Sequence, residues 1–235
     1  MNSVFSPFRR AAALALLLVA ANTAAAVPLR FLAWDDSVAA RKIAFKDGEE
    51  VSELQNLHPH KRSKPVAWSG GESPPALVAL DRSSDDGKPV TSAIKLSAGM
   101  NNPLVIVLPD SSAPSGLRCF VLEDSPGAFR WGSLRFLNAT GREILVRQDK
   151  VIKALPKTWK PIDLVPGGTK RNIGIQMASR EDLGTILYSA VWEHDPEVRK
   201  LVIVVPGTNA SDGALDLKII PEDKRSAAAA PPDSP

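Results

Sequence analysis

Apolar and polar positions alternate over short runs along most of the chain. In its second half the runs cover 133–137, 143–147, 160–165, 172–178, 185–193, 200–205 and 215–220. A period of two marks a strand with one buried and one open face. Pro, Gly, Asn and Asp separate the runs, as turn residues do. Two runs are apolar throughout, Leu104-Val105-Ile106-Val107-Leu108 and Leu201-Val202-Ile203-Val204-Val205. Continuous and rich in β-branched residues, they predict central strands covered on both faces. Seven short strands in roughly 95 residues predict an immunoglobulin-like or related β-sandwich.

The pattern occurs twice. Leu29-Arg30-Phe31-Leu32 returns as Leu134-Arg135-Phe136-Leu137, and Ile43-Ala44-Phe45-Lys46-Asp47 resembles the segment 144–149. Leu54 falls opposite Leu155, and the run ending at Pro109 returns as the run ending at Pro206. Each copy closes on an acidic pair, Glu123-Asp124 and Glu222-Asp223. The order is kept at offsets of about 100 residues, which predicts two tandem all-β domains related by internal duplication. The domains are placed at 27–125 and 129–224, joined through Ser125-Pro126-Gly127. The first copy is looser. Residues 57–75 read as a long loop, 47–57 as holding a helical turn, and 83–86 as a turn. The low-complexity stretch 225–235 is expected to be disordered.

Composition supports a folded, loop-rich β protein: 44% of the 235 residues are hydrophobic, and there are 20 prolines. The net charge of +3 falls further once Arg9 and Arg10 are set aside, leaving 27 basic residues against 26 acidic ones. Nothing resembles the concentrated basic footprint of a nucleic-acid binder. The cluster from His58 to Lys64 reads as a solvated loop.

The N-terminus has the three zones of a secretory signal. Residues 1–10 end in two arginines, 11–21 are apolar, and Ala24-Ala25-Ala26 supply small residues, with cleavage expected after Ala26. The apolar run is short for a membrane span, although an uncleaved anchor is the alternative. The mature chain is therefore expected outside the cytoplasm: periplasmic, cell-surface or secreted. Cys119 is the one cysteine, lies in an alternating segment, and reads as a core residue.

Candidate chemistry is sparse. His58 and His60 could share a metal ion on an extended segment, but a stable site needs three or four ligands. Glu193-His194-Asp195 reads as a hairpin loop, because adjacent strand residues point to opposite faces. Asp35-Asp36 and Asp85-Asp86 lack the spaced oxygens of a calcium loop. Pro166-Gly167-Gly168-Thr169-Lys170 lacks phosphate-loop spacing and reads as a hairpin turn. No nucleophile elbow is present. Of the five tryptophans, Trp192 reads as core, and Trp34 and Trp131 as packing near the domain joint. Trp68 and Trp159 lie in polar, proline-containing stretches, where exposed rings could stack on sugars or anchor a protein. Asn138 and Asn209 head glycosylation sequons and read as unused turn residues.

The segment 131–140 (WGSLRFLNAT), with 144–149 and Pro166-Gly167-Gly168, resembles modules of uncharacterised secreted tandem β-sandwich proteins of environmental bacteria. That group carries no established activity, so the resemblance implies no functional residue. The expectation is a non-catalytic binding or structural module of the bacterial envelope, without cofactor, acting through protein contacts. A carbohydrate-binding surface protein is the alternative, and a hydrolase or metalloenzyme is less favoured. Trp68, Trp159, His58 and His60 are the residues to watch, with an envelope protein or a glycan as partner and no nucleic acid.

Overall fold

The computed structural model describes residues 26–71, 73–208 and 215–228. The signal-peptide reading up to residue 25, the Asn209 sequon and the tail beyond 228 lie outside the described residues.

The first copy holds β1 (Val27–Ala33), α1 (Asp36–Ala39), β2 (Ile43–Asp47), β3 (Glu50–Glu53), β4 (Val66–Trp68), β5 (Ala76–Ser83), β6 (Pro89–Ala93), β7 (Pro103–Pro109) and β8 (Leu117–Glu123). The second holds β9 (Leu134–Asn138), β10 (Ile144–Gln148), β11 (Val151–Leu155), β12 (Ile162–Leu164), β13 (Arg171–Ser179), β14 (Ile186–His194), β15 (Val198–Pro206) and β16 (Leu215–Asp223), followed by α2 (Lys224–Ala228).

These strands form four four-stranded sheets, ordered β4-β1-β7-β8 and β3-β2-β5-β6 in the first copy, β12-β9-β15-β16 and β11-β10-β13-β14 in the second. Adding eight to each number in the first copy gives the second, so the duplication extends to connectivity. The first strand of each copy runs parallel to the seventh (Phe31 opposite Val105, Phe136 opposite Val202), and the other pairs are antiparallel. Each copy packs its two sheets face to face over one core, as a β-sandwich does. Phe31, Ile43, Phe45, Leu77, Val105 and Val107 share the first core. Phe136, Ile144, Val146, Ile175, Trp192 and Val202 share the second.

A third core lies between the copies. Leu32, Leu104, Ile106 and Leu122 pack there against Leu137, Leu201, Ile203 and Ile220, with Phe129 of the connection among them. This explains the unbroken apolar runs. In β7, Val105 and Val107 face the first sandwich, while Leu104, Ile106 and Leu108 face the other copy. In β15, Val202 and Val204 face the second sandwich, while Leu201 and Ile203 face the first copy. The two β1/β9-bearing sheets therefore meet back to back, and the chain stacks four sheets deep.

Several local expectations are corrected. β2 and β3 pair within one sheet. Period-two patterning determines which face is buried, not which strand lies beside it. The helical turn expected in 47–57 is a β-hairpin, turning at Gly48 (φ 58°) with Asp47 opposite Glu50. The one turn of helix in this region is α1, whose start is capped by the Asp35 carboxylate accepting from the Val38 amide. β4 interrupts the long loop, and β11 is an additional strand. Pro166–Gly168 and the segment after His194 are crossings between sheets rather than hairpin turns, since β12 and β13, like β14 and β15, belong to different sheets. The first residues of the expected disordered tail are helical, with the Asp223 carboxylate accepting from the Arg225 amide.

Candidate functional site

The most elaborate polar site is buried in the joint. Arg62, Asp124 and Arg199 are almost fully enclosed, at 8%, 2% and 1% exposure. Asp124 sits just past β8, where its amide donates to the Asn102 carbonyl. Glu222 holds the matching place on β16, opposite Arg199. Arg30 of β1 joins both acids, donating to Asp124 at 2.5 Å and to Glu222. Arg62 grips Asp124 through Nε (2.8 Å) and Nη2 (3.2 Å). Arg199 donates from Nε to Glu222 (2.7 Å) and from Nη1 to the Phe129 carbonyl (2.8 Å), and lies between the Phe129 and Trp131 rings. Burial pushes the Asp124 carboxyl up, but Arg62, Arg199 and Arg30 outweigh it and hold it below its ordinary value. Burial lowers Arg199, against the pull of Asp124 and Glu222.

The second site is open. The outer face of the β10–β13–β14 sheet carries Arg147, Gln176 and Ser189 in one cross-strand row. A shallow depression of about 470 Å³ lies over this row, floored at Gly174 and bounded by Asp149 and Val191. β14 is nine residues long and, among the described residues, is the edge of its sheet and pairs with β13 alone. Val191 on this edge is 71% exposed, and Ile186 is also exposed. At the opposite edge Val151 and Ile152 of β11 are exposed as well. A long edge strand with exposed β-branched residues is the part of a sheet best suited to accept another chain.

The residues singled out from the sequence are scattered. Trp159 is half-buried in the joint, 5.7 Å from Trp34 and 4.9 Å from Phe120. Trp68 is half-buried against the first core with its indole N–H enclosed, and it lines a depression of about 520 Å³ with Pro74, Pro75 and Lys95. His58 and His60 are exposed, with ring centroids 6.1 Å apart. His58 Nδ1 is occupied, accepting from the His60 amide at 2.9 Å. Among the described residues no group of three His, Cys, Asp or Glu side chains is placed to hold a metal ion. The four candidates therefore form no common site.

Two further expectations change. The 58–64 cluster is not wholly solvated, because Arg62 turns inward to Asp124. His194 is buried at 3% exposure rather than set in an open loop. Burial, with Arg171 nearby, holds its imidazole below the ordinary histidine value. Trp192 packs in the second core, as its alternation implies, and Trp34 and Trp131 lie at the joint. Cys119 is half-buried beside the first core, and burial pushes its thiol up to about 12. Asn138 is fully enclosed, and its amide donates to the carbonyls of Arg142, Leu155 and Pro156. The joint cluster was missed because its members are spread from position 30 to position 222. The acidic pairs that close the two repeats, Glu123-Asp124 and Glu222-Asp223, were the available signal.

No helix among the described residues is long and apolar enough to cross a membrane. No family model and no curated protein matches the chain.

Proposed function

We propose that the protein is a non-catalytic binding module of the bacterial cell envelope, exported by its N-terminal signal and taking a protein partner along β14. The observation that carries this reading is the nine-residue edge strand with Val191 exposed beside the Arg147–Gln176–Ser189 row. A partner strand added there would gain main-chain hydrogen bonds along β14 and bury Val191 and Ile186. The back-to-back joint serves this role by holding the open sheet on a stiff base, so that little ordering entropy is lost on binding.

The test is site-specific photo-crosslinking in intact cells, with a benzophenone side chain at Val191 or, as a control, at Glu50 on the first copy. The expected outcome is a discrete adduct from position 191, abolished by Ile186→Lys, with none from position 50. Absence of an adduct at 191, or equal labelling at both positions, contradicts the proposal.

Carbohydrate binding is a second reading, supported by Trp68 and its proline-lined depression alone. It predicts glycan retention that Trp68→Ala abolishes and Trp159→Phe leaves intact.

A further inference from the structure

We infer, on the reading of β14 as a docking edge, that the chain it takes is a second copy of this protein, the two β14 strands running antiparallel about a twofold axis at Ala190. Among the described residues the four sheets have eight edge strands, and every one except β14 is blunted against pairing. β4 and β12 are three residues long. β3 carries Glu50 and Glu53, β8 carries Arg118 and β11 carries Lys153. β6 opens on Pro89, and β16 holds Lys218 and Pro221. Short length, charge and proline are the means by which a sheet edge keeps other strands away. β14 has none of them from Ile186 to Trp192. Its Ile186 and Val191 are exposed, as is Leu183 just before it.

The strand also fits its own reverse. Ala190 is the midpoint of the nine residues, so an axis there pairs β14 over its whole length. Ser189 then meets Val191 of the second copy, Tyr188 meets Trp192, and Ile186 meets His194. Residues that meet share a face, as continuation of the sheet requires. Tyr188 and Trp192 pack on the core side, where the Trp192 indole N–H donates to the Tyr188 hydroxyl at 2.9 Å. Ser189 and Val191 are both exposed on the open side. Identical side chains meet only on the axis, and alanine is small enough for that position. Glu193 meets Leu187, so no like charges stand opposite one another. The two ends differ in charge. Before the strand Glu181 and Asp182 are exposed, while Arg180 is taken up by Glu143 at 2.7 Å. At the far end Lys170 reaches Glu193 at 2.8 Å and Asp195 at 3.7 Å, and Lys200 donates to the Glu193 carbonyl. Antiparallel pairing carries the acids of each copy toward the lysines of the other.

The test is the mass of the purified full chain by sedimentation equilibrium. A dimer is expected at micromolar concentration. Val191→Lys should weaken it by about a hundredfold, because the axis applies the substitution twice. Ile152→Lys, on the opposite edge β11, should leave it unchanged. Register is read by disulfide formation in a Cys119→Ala background. Chains carrying Ser189→Cys and Val191→Cys, mixed and oxidised, should form a covalent heterodimer, and neither should do so alone, since only the opposed positions lie within bridging distance. A chain that stays monomeric into the hundred-micromolar range, or a dimer indifferent to Val191→Lys, overturns the inference. The crosslinking experiment separates this failure from that of the docking edge. An adduct from position 191 should have twice the mass of the chain. An adduct with a different protein, together with a monomeric purified chain, keeps β14 as the docking edge and removes self-pairing. Absence of any adduct removes both.

Discussion

Asp124, just past β8, and Glu222, near the end of β16, both accept hydrogen bonds from Arg30. Two acids that the repeat places at matching positions are thus brought to one buried point. Removing the charge of Asp124 leaves Arg62 and Arg199 enclosed without their principal partner. Asp124→Asn is expected to cost about 3 kcal/mol, measured by urea unfolding at neutral pH. The pH dependence follows from the lowered Asp124 carboxyl. Its contribution is complete above the unfolded value of roughly 4 and is lost as the pH falls through the lower folded value. The variant's stability curve should therefore approach that of the parent on acidification.

Asn138 provides a test that separates a structural asparagine from a glycan acceptor. Its amide faces three carbonyl oxygens, and its Oδ1 accepts from the amide and hydroxyl of Thr140. Asn138→Asp turns a carboxylate toward those carbonyls, with an expected loss of about 3 kcal/mol or more in chemical denaturation. Mass spectrometry of the chain secreted from a glycosylating host should find Asn138 unmodified. A glycan on the folded protein at that position would contradict its enclosure.

The Cys119 thiol is pushed up to about 12 by burial. The thiolate is the reactive form, so labelling with a disulfide reagent at pH 8 should be negligible in the native state. Full reactivity should appear with unfolding, following the same denaturant curve as tryptophan fluorescence. Rapid native labelling would show that this edge of the first core opens.

Much of the architecture was legible from period and repetition. Val105 and Val107 against Leu104 and Ile106 form a two-faced strand, and the same pattern in β15 identified the duplication. Alternation is silent about what covers the second face, so the third core was not foreseen. The β2–β3 hairpin was hidden because all four residues of β3 are exposed and supply no buried period. For sites, the sequence favoured aromatic and imidazole groups in polar loops. Trp159 instead packs in the joint against Phe120, and Arg62 leaves its charged loop for Asp124. Ion pairs between residues distant in sequence leave no local pattern. An edge strand such as β14 has the same alternation as a central one and is recognised only when the sheet order is known.

Differential scanning calorimetry on the full chain and two core variants tests most directly whether the joint makes the two copies one cooperative unit. Ile106 and Ile203 lie in different copies and both point into the third core. Truncation to Ala at either site is expected to cost about 3 kcal/mol. The predicted result is one transition in the parent, with calorimetric and van't Hoff enthalpies equal, shifted as a whole by either Ile106→Ala or Ile203→Ala. Two resolved transitions, each moved only by the substitution in its own copy, would show two independent domains on a tether.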